Sequence, residues 1–85
     1  MNKNVIYSNQ SVKEIETYEV KSNVTTGFFV DLELRDGYVN AWLYHKDYGV
    51  KSLMFGLDPT KCDIYGIINN NLDDQIMFYM EEYMD

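Results

Sequence analysis

The chain has 85 residues, 46% of them hydrophobic and 25% charged, with 14 acidic against 7 basic side chains and a net charge of −7. Val, Ile, Leu and Phe fill 23 positions, which is enough for one small core and above the composition of a disordered chain. The acidic balance argues against direct binding to nucleic-acid phosphates or anionic lipid, because both select clustered Lys and Arg.

Residues 1–12, MNKNVIYSNQSV, are rich in Asn, Ser and Gln and offer only Val5, Ile6, Tyr7 and Val12 for packing. They read as an N-terminal arm. From residue 13 to 56 the pattern has a period of two and predicts a sheet. Ile15 to Lys21 mixes β-branched and aromatic residues with charges, as a solvent-facing strand does. In Phe28 to Arg35, Phe28, Val30, Leu32 and Leu34 alternate with Phe29, Asp31, Glu33 and Arg35, the signature of a half-buried strand. Asp36-Gly37 supplies the positive φ that a tight hairpin needs. Tyr38 to His45 is apolar on both sides and is expected to be central, and Val50 to Phe55 follows as a fourth strand after the turn at Asp47-Tyr48-Gly49. Short turns between successive strands imply an antiparallel meander.

Beyond Phe55 the period lengthens. Asp58-Pro59 is a helix-start signal, an Asp cap followed by Pro at the first helical position. At 100° per residue, Ile64, Tyr65, Ile68, Leu72, Ile76, Tyr79, Met80 and Tyr83 fall within about 160° of arc. The expectation is one acidic amphipathic helix over 58–84, kinked or split at Asn69-Asn70-Asn71, laid on the meander to give a single α+β domain of two layers. Of its tyrosines, Tyr65, Tyr79 and Tyr83 are expected in the core. Tyr38, Trp42 and Tyr44 share one strand face, either under the helix or exposed as an aromatic platform.

Chemistry-bearing residues are sparse. His45 is the sole histidine and Cys62 the sole cysteine. A nucleophile–base pair of these two is conceivable in principle, but the preferred reading is a half-buried thiol and a strand-end imidazole. They cannot fill a structural zinc site, no Gly-rich phosphate loop is present, and adjacent helical acids such as Asp73-Asp74 diverge by about 100°. We therefore expect no enzyme activity, no cofactor and no metal. The lone cysteine suits a reducing cytoplasm. No apolar run reaches the roughly 18 residues of a membrane span, and the opening residues lack the apolar stretch of a secretion signal.

Charge is unevenly placed. Residues 58–85 hold seven acids (Asp58, Asp63, Asp73, Asp74, Glu81, Glu82 and Asp85) against Lys61 alone. On a continuous helix Asp63, Asp74, Glu81 and Asp85 cluster within about 40°, opposite the apolar stripe. Ile67, Met77 and Phe78 lie on the same outer half. Acids at a helix C-terminus oppose the helix dipole, so stability does not account for the arrangement. A solubilising role is one explanation. The other is a docking face comprising Asp63, Asp73, Asp74, Glu81, Glu82, Asp85, Ile67, Met77 and Phe78.

In length, acidity and acid-rich stretches such as Leu72-Asp73-Asp74 and Glu81-Glu82-Tyr83-Met84-Asp85, the chain resembles the small acidic inhibitors of bacterial viruses. These include anti-CRISPR and anti-restriction proteins of the DNA-mimic kind. The resemblance is compositional and transfers no functional residue. It implies a non-enzymatic inhibitor in the host-cell cytoplasm, docking an acidic helix onto the basic, nucleic-acid-binding surface of a Cas effector or other defence nuclease. The alternative is a small structural or accessory subunit that oligomerises through its sheet edge or aromatic face. The state expected is monomer or homodimer, without direct nucleic-acid or membrane binding.

Overall fold

The computed structural model describes residues 13–84, with side chains from Ile15 onward; the expected arm at 1–12 and Asp85 lie outside the described residues. In chain order the elements are β1 (Lys13–Glu19), β2 (Phe28–Arg35), β3 (Tyr38–His45), β4 (Ser52–Leu57) and α1 (Ile64–Tyr79), which continues into a π-helical turn at Met80–Met84. The strands pair antiparallel in the order β1-β2-β3-β4, so the expected meander and its α+β class are found, with β3 inside the sheet.

Alternation sets which side of the sheet is covered. Val30 pairs with Leu43, Leu32 with Ala41 and Leu34 with Val39, and these residues point towards the helix. Ile68, Leu72, Ile76 and Tyr79 of α1 close the core from above. Each such aliphatic side chain taken from water contributes about 1.5–3 kcal/mol, the main stabilising term in so small a domain. The β2–β3 hairpin turns on Asp36 and Gly37, whose φ of 55° and 85° is the left-handed pair a two-residue turn requires.

The opposite face carries no helix, and it is here that Tyr38, Trp42 and Tyr44 stand. Phe29 stacks on Tyr44 with ring centroids 5.7 Å apart, and the Trp42 indole N–H donates to Glu33 Oε1 at 3.0 Å. Lys51 ion-pairs with Asp31 and sets its ammonium 5.0 Å from the Tyr44 ring centroid. Both outer strands are irregular. β1 has a bulge between Glu14 and Glu16, and β4 has one opposite Ala41 and Trp42, where Leu53 and Phe55 keep register and Met54 turns into the core. Bulged edges resist pairing with strands of another chain.

Several expectations need correction. The helix begins at Ile64, not at Pro59, and its N-cap is Asp63. Asp58 spends its carboxylate on the Thr60 N–H and hydroxyl, and its carbonyl accepts from Lys61 N–H, so Asp58-Pro59 opens a separate turn. No kink or break falls at Asn69 to Asn71, which lie inside the regular helix; Asn71 donates to the Ile67 carbonyl at 2.9 Å. The irregularity comes at Met80 instead, where the wider i→i+5 turn keeps both Met80 and Met84 against the core. The fourth strand runs two residues later than expected. Of the three helix tyrosines only Tyr79 is buried; Tyr65 and Tyr83, at the two ends of the helix, are exposed.

Candidate functional site

The helix divides sharply into a covered and an open side. Ile68, Leu72, Ile76 and Tyr79 span about 80° of arc on the covered side. Opposite them run Asp74, Met77, Phe78 and Glu81, with Glu82 beside Phe78. Met77 is 54% exposed and Phe78 52%, values at which two large apolar side chains give up about half of the free energy of burial. Asp74, Glu81 and Glu82 are exposed, and among the described residues no Lys or Arg pairs with them. Asp74 and Glu81 stand about 10 Å apart along the helix axis.

Not every residue expected at this face is free to serve there. Asp63 Oδ1 accepts the Gly66 N–H at 3.2 Å, and the Asp63 carbonyl accepts Ile67 N–H, so its main work is starting the helix. Asp73 points to the flank nearer β1, where it accepts the Ser22 hydroxyl at 2.7 Å and ties the loop after β1 to the helix. Ile67 is partly covered. The ridge that remains consists of Asp74, Met77, Phe78, Glu81 and Glu82.

The residues considered for catalysis have separate structural partners. The Cys62 thiol donates to the Asp58 carbonyl at 3.1 Å and finishes the turn before the helix. His45 accepts the Asp47 N–H on Nδ1 at 3.1 Å, and its ring packs edge-on against Phe28 and Tyr48. Gly27, with φ +89°, lies directly beneath that ring, and a Cβ there would sit 2.7 Å from Nε2.

Ionisation shifts report packing near the start of the helix. Burial, with the nearby Tyr65 and Glu16, pushes the Tyr18 phenol up to about 12, and its hydroxyl has no partner among the described residues. Tyr65 is also raised, chiefly because its hydroxyl donates to Glu16. Hydrogen bonds from the Thr60 side chain and backbone hold Asp58 below the usual carboxylate range. None of these groups belongs to the open ridge.

Sequence reasoning passed over Tyr48 and Val50. They lie in the loop between β3 and β4, and the structure brings that loop to the end of the helix: the Tyr79 hydroxyl donates to the Val50 carbonyl at 2.6 Å. Their only sequence signal was a pair of large apolar residues beside a turn glycine. Comparison of the chain with protein-family models, curated proteins and solved structures gives no match. No helix among the described residues is long and apolar enough to cross a membrane.

Proposed function

We propose that the protein acts by binding, with no chemistry of its own, and that the ridge Asp74-Met77-Phe78-Glu81-Glu82 docks on a cationic surface of a protein that handles nucleic acid. The observation that carries this reading is the interleaving of exposed carboxylates, unpaired among the described residues, with two apolar side chains more than half exposed. Carboxylates at this spacing occupy Lys and Arg that would otherwise neutralise phosphates, and Met77 and Phe78 add dry contacts that charge alone cannot. The compositional likeness to anti-CRISPR and anti-restriction inhibitors points to a Cas effector or another defence nuclease, blocked by occlusion. Self-association as an accessory subunit is the lesser reading: both sheet edges are bulged, and the aromatic face is the surface left to it.

A panel of purified Cas effectors and restriction nucleases, each preincubated with the protein, tests the proposal by target-DNA binding and cleavage. Inhibition should weaken steeply as salt rises. Asp74→Lys with Glu81→Lys should raise the inhibitory concentration at least about tenfold, equivalent to some 1.4 kcal/mol. Inhibition unchanged in the double variant would refute the ridge, and no inhibition across the panel would refute the choice of partner.

A further inference from the structure

The face of the sheet turned away from α1 is laid out in rows by the strand register. Glu19, Phe29 and Tyr44 form the row at one end, and Arg35 and Tyr38 the row at the other. Between them lie Thr17, Asp31, Trp42 and Leu53 in one row, and Glu33, Asn40 and Gly56 in the next. Tyr38 is 53% exposed and Leu53 50%. Gly56 leaves a notch on this same face, since a Cβ there would point at Asn40 Oδ1, 3.0 Å away. The inner charges are engaged within the chain, Asp31 by Lys51 and Thr17, and Glu33 by the Trp42 indole N–H. Glu19 and Arg35, at opposite ends of the face, are exposed, and no hydrogen bond or ion pair among the described residues engages them.

We infer that this face binds a second copy of the chain, sheet against sheet, about a twofold axis that crosses the strands level with the Leu32–Ala41 pair. That axis lays each end row on the opposite end row of the other copy. Arg35 then meets Phe29 and Glu19 of the second copy, Tyr38 meets Tyr44, and Leu53 enters the notch at Gly56, each contact being made twice. An axis along the strands would set β1 over β4 and keep Arg35 away from Glu19. Asp31 comes over Glu33, where the Lys51 ammonium and the Trp42 N–H already offset both charges. The acids of the helix do not oppose the pairing. Because α1 lies on the far side of each sheet, the two sets of Asp74, Glu81 and Glu82 stand more than about 20 Å apart, beyond the roughly 8 Å screening length of physiological salt. The bulges in β1 and β4 leave the sheet edges unsuited to the same partner. Four strands about 4.8 Å apart and some seven residues long present about 450 Å² of flat area, or roughly 900 Å² for the pair. Stable interfaces start near about 1,200 Å², so this dimer forms only at high concentration. Both ridges stay on the outside of the pair, and the inference does not depend on what they bind.

Sedimentation velocity on the full chain, from about 5 µM to about 1 mM, should show monomer giving way to dimer, half-associated at about 0.1 mM. Trp42 is the sole tryptophan, and its emission should move to the blue over the same range. Leu53→Asp should abolish the dimer and leave Tm nearly unchanged, since that side chain is half exposed. Arg35→Glu and Glu19→Arg should each weaken association at least about tenfold, and the two reversals in one chain should restore it. Asp74→Lys with Glu81→Lys should leave association unaltered; a dimer lost in that variant would move the contact to the helix and overturn the inference. A chain monomeric throughout would also overturn it. In that case Trp42 emission already blue and quencher-resistant at the lowest concentration would assign the face to another part of the same chain. A dimer that survives Leu53→Asp would overturn the surface, and one that the paired reversals fail to rescue would overturn the twofold.

Discussion

Replacing Gly27 with Ala attacks one point where backbone geometry and side-chain packing meet. The φ of +89° is one that L residues adopt at a cost of about 1–2 kcal/mol. The new methyl would lie 2.7 Å from His45 Nε2 and 3.3 Å from two ring carbons, so the imidazole has to move. Phe28 and Tyr48 hold that ring on its edges, and its Nδ1 accepts the Asp47 N–H. Losing the hydrogen bond adds about 0.5–1.5 kcal/mol. The sum, roughly 1.5–3.5 kcal/mol, should lower Tm by about 6–28 °C in a domain of this size. Thermal and urea denaturation followed by circular dichroism would measure it. In the Gly27→Ala, His45→Ala double variant the clash disappears and only the backbone cost remains, so the two changes should couple favourably by about 1 kcal/mol. A loss below about 0.5 kcal/mol for Gly27→Ala, or simple additivity in the pair, would refute this account of the position.

Asp63→Ala should cost about 1 kcal/mol by removing the N-cap, while Asp58→Ala should leave helical ellipticity unchanged; the opposite order would restore Pro59 as the start of the helix. Tyr18→Phe removes a covered hydroxyl with no partner among the described residues, so stability near neutral pH should hold or rise. The same variant tests pH dependence. Below pH 10 the Tyr18 phenol is protonated in both states and the fold keeps its full stability. Between 10 and about 12 the unfolded chain loses the proton first, so wild-type stability falls as pH rises, and Tyr18→Phe should flatten that part of the decline in denaturant titrations. Asp74→Lys with Glu81→Lys should leave Tm unchanged or raise it by a few degrees, since exposed acids near a helix C-terminus cost about 0.3–1 kcal/mol; a large fall on melting would expose contacts absent from the structure.

Most of the fold was legible because it follows from periodicity. β2 and β3 begin and end where the alternation does, and Asp36-Gly37 turns between them as its chemistry demands. The start of the helix was misread because two Asp residues compete to cap it. Asp58 has the stronger local signal in Pro59, but its carboxylate and carbonyl are taken up by Thr60 and Lys61 in a separate turn, and the helical hydrogen bonds start from Asp63. Angular position identified Tyr65 and Tyr83 as core-facing, yet at its ends the helix covers less, and exposure follows from distance along the axis as much as from angle. At the ridge, Asp74, Met77, Phe78, Glu81 and Glu82 lie outward as expected. Asp63 and Asp73 were predicted alongside them because a helical projection counts charges without seeing which ones the backbone or a distant Ser22 has engaged. Tyr48 and Val50 could not have been found from one element, since Val50 joins the helix end through a hydrogen bond spanning 29 residues and Tyr48 through the rings of His45 and Phe28.

Winding the last turn i→i+5 lodges one more residue at Met80–Met84 than α-helical winding would take. Deleting a single residue there would let the segment close as ordinary α-helix with both ends of the turn left in place, since the surplus is taken up inside it. Glu81, Glu82 and Tyr83 would be redistributed around that one turn while Ile68, Leu72 and Ile76 stayed seated. The wide turn is thus slack in the winding, a place where the segment can gain or lose one residue without unseating the helix that precedes it.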